Sequence, residues 1–249
     1  MRTIATSILS ALIVTALSGR LNAQSGDTFG YSWTSSDQGG IAFNWTDIKS
    51  IGTRIIGLDG RDDANDGPFP IGFSFPYYGA MYDSFRVCSN GFITFYNQSS
   101  AFSNYGLPDA GEQEMIAPFW NDLNLGNSSA SHVYYYYDGT RLIVQFYVIP
   151  PYSGTGNYTF QVILYPDGRF VYQYLDMNGS DKTATIGWQN TDGSDGFTIS
   201  LDDPVFVHNN LAIQVKYGPK APSNLIAVGG DQIATLTWDQ NIDTLLTVS

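Results

Sequence analysis

Cysteine is all but missing from this chain: Cys88 stands alone, so no internal disulfide can form. Its apolar neighbours predict a buried, unreactive thiol. Glutamate is nearly missing too, since of the 23 acidic residues only Glu112 and Glu114 are not Asp. Lys and Arg together number 11, leaving a formal net charge of −12. That shortage of positive charge excludes the basic face that nucleic acid or anionic lipid requires. Scarce Glu, Lys and Arg also deprive helices of their usual surface residues. Asp favours turns, because its short side chain bonds nearby backbone. Histidine is limited to His132 and His208. Neither lies near an HExxH, GxSxG or CxxC motif, and nothing marks a Ser-His-Asp triad or a glycosidase carboxylate pair, so no catalytic site is expected. After the first 23 residues no stretch approaches about 18 consecutive apolar residues, which excludes a later membrane span. No stretch sustains a 3.6-residue apolar period over a dozen positions either.

Residues 1–23 read as an export signal. Met1 and Arg2 give a basic start, Ile4 to Ser18 an apolar stretch, and Ala23 the small residue before a cut at Gln24. Without Arg2 and Arg20, nine basic residues face 23 acidic ones, a net charge of −14 for the mature chain. The expected location is outside the cell, secreted or on the cell surface.

Turn signals fill what remains. Six Asp-Gly pairs begin at Asp59, Asp66, Asp138, Asp167, Asp192 and Asp195, and two Asn-Gly pairs at Asn90 and Asn178. These dipeptides tolerate the positive φ of tight hairpins. VYYYYDGTRLIVQFYVI (133–149) and TFQVILYPDGRFVYQYLDM (159–177) each read as strand, turn, strand. Further strands are expected at 71–75, 84–88, 92–96, 183–189, 197–201 and 211–217. The fold class predicted is all-β: an antiparallel β-sandwich of jelly-roll-like or Greek-key order, with few or no helices.

Three segments carry candidate site residues. In IAPFWNDLNL (116–125), Pro118 suits a strand edge or entry, and Phe119 and Trp120 supply apolar area for the core. Asn121 and Asp122 then turn the chain, so Trp120, Asn121 and Asp122 are expected to form a structural corner. LDGRDDANDG (58–67) gathers Asp59, Asp62, Asp63 and Asp66, the oxygen donors that a hard cation such as Ca²⁺ takes. The EF-hand spacing fails, because counting from Asp62 puts Ala64 at position 3 and Phe73 at position 12. A solvated turn accounts for the same residues, so Ca²⁺ is the one candidate cofactor and no other is expected. In the run Tyr134, Tyr135, Tyr136 and Tyr137, alternate rings point to opposite faces of a strand. One pair packs in the core, and an exposed pair would offer a platform to a partner.

Several blocks together resemble one known family. FPIGFSFPYYGAMYDSFRVCSNGFITF (69–95), IAPFWNDLNL, NYTFQVILYPDGRFVYQY (157–174) and ATIGWQN (184–190) are similar, in order and spacing, to the motifs of nidogen-like domains of secreted bacterial proteins. The resemblance implies an extracellular β-sandwich module without known catalysis over residues 24–217. After it, Pro222, Leu225, Ala227, Leu236 and Trp238 resemble the opening strands of a fibronectin type III domain, so 218–249 reads as an incomplete one. The function expected is a non-catalytic interaction, adhesion or spacer module whose partner is an extracellular protein or polysaccharide. An accessory domain of a larger secreted hydrolase and a carbohydrate-binding sandwich are the alternatives.

Overall fold

Alternating apolar runs separated by Asp-Gly pairs should make hairpins, and they do. A computed structural model describes residues 26–218 and the backbone of 223–229 and 234–239. The export signal and the last ten residues lie outside the described residues. The strands are β1 (Tyr31–Ser35), β2 (Thr53–Arg54), β3 (Asn65–Tyr77), β4 (Ala80–Cys88) and β5 (Phe92–Thr94). Then come β6 (Met115–Trp120), β7 (His132–Tyr137), β8 (Leu142–Ile149), β9 (Tyr158–Leu164) and β10 (Phe170–Met177). The last are β11 (Thr185–Gln189), β12 (Gly196–Leu201), β13 (Leu211–Tyr217), β14 (Ser223–Gly229) and β15 (Ala234–Asp239). Asp138-Gly139 and Asp167-Gly168 close the β7–β8 and β9–β10 hairpins, their glycines at φ +93° and +82°. The only helical segments described are two short 3₁₀ turns, Ile56–Leu58 and Leu125–Asn127.

Two antiparallel sheets form the sandwich, ordered β1-β13-β10-β9-β8-β7-β2 and β12-β11-β6-β5-β4-β3. β14 and β15 pair separately as a hairpin. Phe75, Phe85, Phe119, Phe146, Phe160, Tyr172, Tyr174 and Trp188 fill the space between the sheets and are fully buried. Each such ring stabilises the fold by a few kcal/mol, about 25 cal/mol per Å² of apolar area removed from water.

Pro118 is at neither the strand edge nor the strand entry that the sequence suggested. It lies inside β6, a central strand flanked by β5 and β11. The β6–β11 ladder shifts register between Thr185 and Gly187, opposite Trp120 and Ala117, so the proline sits at a bulge where a missing N–H does least harm. The other sheet reaches across to this irregularity. The Tyr174 hydroxyl donates to the Pro118 carbonyl and the Tyr172 hydroxyl to that of Gly187, each at 2.6 Å.

The outer faces are covered as well. β6, β9 and β11 are buried at every residue, which half-buried strands would not be. Over the seven-stranded sheet runs the irregular segment 41–52, held by a row of buried glutamines. Gln173, Gln161 and Gln145 lie opposite one another on β10, β9 and β8. Gln173 accepts the Asn44 N–H at 2.7 Å and donates to the Asn44 carbonyl at 2.8 Å. Gln161 donates to the Thr46 carbonyl, and Gln145 accepts the Ile48 N–H. Asn44, Thr46 and Ile48 are thus fastened to one strand after another. Ile48 seals it against Tyr134, Ile143, Ile163 and Val171.

Loop 97–113 covers the six-stranded sheet in the same way. Trp120 donates its indole N–H to the Ala101 carbonyl at 2.8 Å and packs with Cys88, Phe92, Leu107, Met115 and Ala117. Trp120 is therefore core, but the core beneath this loop, while its neighbour Phe119 points between the sheets. β3 forms the far edge of this sheet, with Pro68, Pro70 and Pro76 and two register shifts along it.

Two substitutions test these polar links. Tyr174→Phe should lower unfolding free energy by about 1–2 kcal/mol by stranding the Pro118 carbonyl, without altering the circular dichroism spectrum. Gln145→Leu should cost about 2–3 kcal/mol and speed hydrogen exchange at the Ile48 amide, whose acceptor it removes.

Candidate functional site

Asp122 sits where β6 ends. The chain turns there because Asn121, itself buried, accepts the Asp122 N–H on its side-chain oxygen at 2.9 Å. Asn121 thus holds the chain as it leaves β6. The Asp122 side chain does something else: it meets Asp62 and Asp63, from the turn that leads into β3. One carboxylate oxygen from each of the three lies within 4.8 Å of the others.

The packing that brings them together is backbone-led. Asp62 and Asn124 form an isolated antiparallel bridge, and Leu125 donates to the Arg61 carbonyl at 3.0 Å. Buried Asn90 links the two segments. Its amide donates to an Asp63 carboxylate oxygen at 2.9 Å, and its carbonyl oxygen accepts the Leu123 N–H at 3.0 Å. Asp63 adopts φ +45°, a left-handed conformation that Asp tolerates better than most residues.

Asp62 and Asp63 are exposed and Asp122 is partly buried, and the crowding disfavours the charged forms of Asp122 and Asp62. Desolvation, then the charges of Asp63, Asp62 and Asp181, push the Asp122 carboxyl up to about 6. Desolvation and Asp63 raise Asp62 as well. Three convergent carboxylate oxygens can take a hard divalent cation completed by backbone and water oxygens.

Of the four aspartates predicted as calcium donors, the structure brings Asp62 and Asp63 together and adds Asp122. Asp59 is engaged elsewhere: Arg54 holds it at 2.8 Å and His132 Nδ1 lies 3.0 Å from it. Asp66 accepts the N–H of Gly67 and lies against Gly57. No local spacing could have revealed Asp122 as the third member, because it joins the others only through the fold.

The tyrosine run divides by face. Tyr135 stacks on Phe69 at 5.1 Å from the inner face, and Tyr134 and Tyr136 pack with the cluster under the 41–52 strap. Only Tyr137 is substantially exposed, tilted against Phe73 at 5.8 Å. The run is therefore mostly packing, and it does not present an exposed pair.

Each histidine is bound by an aspartate, His132 by Asp59 and His208 by Asp37 at 3.1 Å. The His208–Asp37 hydrogen bond raises the His208 pKa. Cys88 is fully buried, and burial pushes its thiol far above the usual range.

Compared with known proteins, residues 32–224 match the model of a family described as NIDO related. No solved structure matches the chain.

Asp122 offers a two-sided test. With a folded-state pKa of about 6 against 3.8 for the free side chain, its ionisation works against folding. The penalty is complete well above pH 6 and disappears as pH falls towards 3.8. Asp122→Asn should therefore stabilise the metal-free protein by about 1 kcal/mol at pH 7.5 after allowance for solvent screening, and not at pH 4. If a cation occupies the cluster, calcium at about 1 mM should raise Tm of the parent and lose that effect in Asp122→Asn; an unchanged parent Tm excludes such a site.

Proposed function

This chain belongs to the NIDO-related family, and from that premise we propose that it works as an exported, non-catalytic interaction module. The observation that carries the reading is the extent of the match. Residues 32–224 take in both sheets, from within β1 to the start of β14, so the family relation covers the whole sandwich rather than one motif. A NIDO-related domain is an extracellular type of module, in keeping with an N-terminal export signal. No helix among the described residues is long and apolar enough to cross a membrane.

The chemistry of the reactive side chains supports a binding role. Both histidines are tied to aspartates, and the thiol is sealed in the core. A net charge of −12 favours solubility and steers the choice of partner towards neutral or cationic surfaces. The partner class proposed is an extracellular protein or a polysaccharide, met through loops and isolated surface rings.

The reading is tested by immobilising the purified chain and presenting soluble polysaccharides and extracellular matrix proteins, with the recovered ligands sized afterwards. Saturable binding with ligand returned intact is the expected outcome. Time-dependent cleavage or modification of any ligand would overturn the non-catalytic assignment.

A further inference from the structure

A cleft of about 430 Å³ opens between residues 96–99 and 110–113, at the lower end of the range for small-molecule sites, roughly 300–1,000 Å³. Its walls are mostly polar, and both are fixed from behind. Glu114, fully buried, accepts the N–H groups of Tyr96 at 2.6 Å and Asn97 at 3.0 Å on one carboxylate oxygen. The Glu114 carbonyl takes the Asn97 side-chain amide at 2.9 Å. On the opposite wall, buried Gln189 donates to the carbonyls of Glu112 and Gln113, each at 2.9 Å, and accepts the Asp109 N–H at 2.8 Å. Glu114 Oε2 is buried behind the walls and has no partner among the described residues. Such bracing removes most of the ordering cost that a ligand would otherwise face.

Tyr96 is the apolar element. It is 67 % exposed although the preceding Phe95 is buried. Its ring is held 5.1 Å from Tyr82, which stacks on Phe95 at 4.2 Å. A braced, exposed ring beside amides suits a molecule with one C–H face and a rim of hydroxyls. Gln98 and Gln113 supply those amides, each able to donate and accept, and neither side chain bonds another described residue. Glu112, which contacts the Tyr105 hydroxyl, adds a carboxylate that turns away phosphorylated or acidic ligands. A peptide would look for apolar pockets that this cleft does not offer, and a nucleotide would bring the wrong charge.

We propose that this cleft is a carbohydrate subsite that takes a neutral terminal pyranose of a glycan, with Tyr96 as its stacking platform and Gln98 and Gln113 as its hydroxyl partners. The proposal rests on the interaction-module reading and names the ligand class for it.

The test titrates the full chain with the methyl glycosides of glucose, galactose, mannose and N-acetylglucosamine, followed by NMR or calorimetry. At least one should bind with Kd of about 1 mM or tighter, and Tyr96→Ala should weaken it about tenfold or more. Tyr152→Ala, which removes a comparably exposed ring elsewhere, should change nothing. Thermal melts establish that the variants are folded, and Gln98→Ala with Gln113→Ala reads the same site should Tyr96→Ala fail to fold. Binding that survives both sets of substitutions, or that disappears in Tyr152→Ala, overturns the proposal. So does the absence of glycoside binding up to about 10 mM. If every glycoside fails while a matrix protein still binds the chain, the carbohydrate subsite falls and the interaction module stands.

Discussion

Two sheets packed face to face ordinarily bury their inner faces and leave the outer ones to water. Here irregular chain lies over both outer faces, and its N–H and C=O groups have left solvent without a strand ladder to receive them. Glutamine resolves this. Gln145, Gln161 and Gln173 receive and supply bonds along the 44–48 strap, and Gln189 does the same for 109–113. An apolar residue of equal size at any of these positions would fill the space and strand the backbone above it. The side-chain amide is suited to this role because it offers donor and acceptor at the end of a flexible stem. The hydrophobic layers outside each sheet depend on that exchange, and so do the fixed walls of the Tyr96 cleft.

Much of the architecture was legible in the sequence. Asp-Gly turns between apolar runs identified the β7–β8 and β9–β10 hairpins, and the strand at 211–217 matches β13 throughout. What escaped has a common cause: both faces of the central strands are buried. MIAPFW carries no alternation because neither side of β6 faces water, so it reads as an approach to a corner rather than a strand. Pro118 reinforced that misreading, since the strand β11 opposite its bulge and the Tyr174 hydroxyl that donates to its carbonyl belong to other parts of the chain. The buried glutamines were equally silent, because a Gln in a strand is normally a solvent-facing residue.

The candidate sites divide along the same line. Asp62 and Asp63 were visible as neighbours in a turn, whereas their association with Asp122 needed the hold of Asn121 on the chain leaving β6 and the link through Asn90. Four consecutive tyrosines drew attention by their rarity, yet packing consumes most of them. Tyr96 drew none, being one aromatic among many until the fold left it outside. A surface ring acquires meaning from what braces it, and that is a tertiary property.

The prolines of β3 have a consequence for how this protein can touch others. A bare strand at the rim of a sheet invites another chain to pair with it, backbone to backbone, with little regard to sequence. Pro68, Pro70 and Pro76 remove N–H donors along that rim, and the register shifts bend it away from a straight template. Recruitment by strand addition is closed off there, so along that rim recognition falls to side chains, which discriminate among partners as a main-chain ladder does not. For a protein built almost wholly of strands, a rim that refuses indiscriminate pairing is a condition of selective binding.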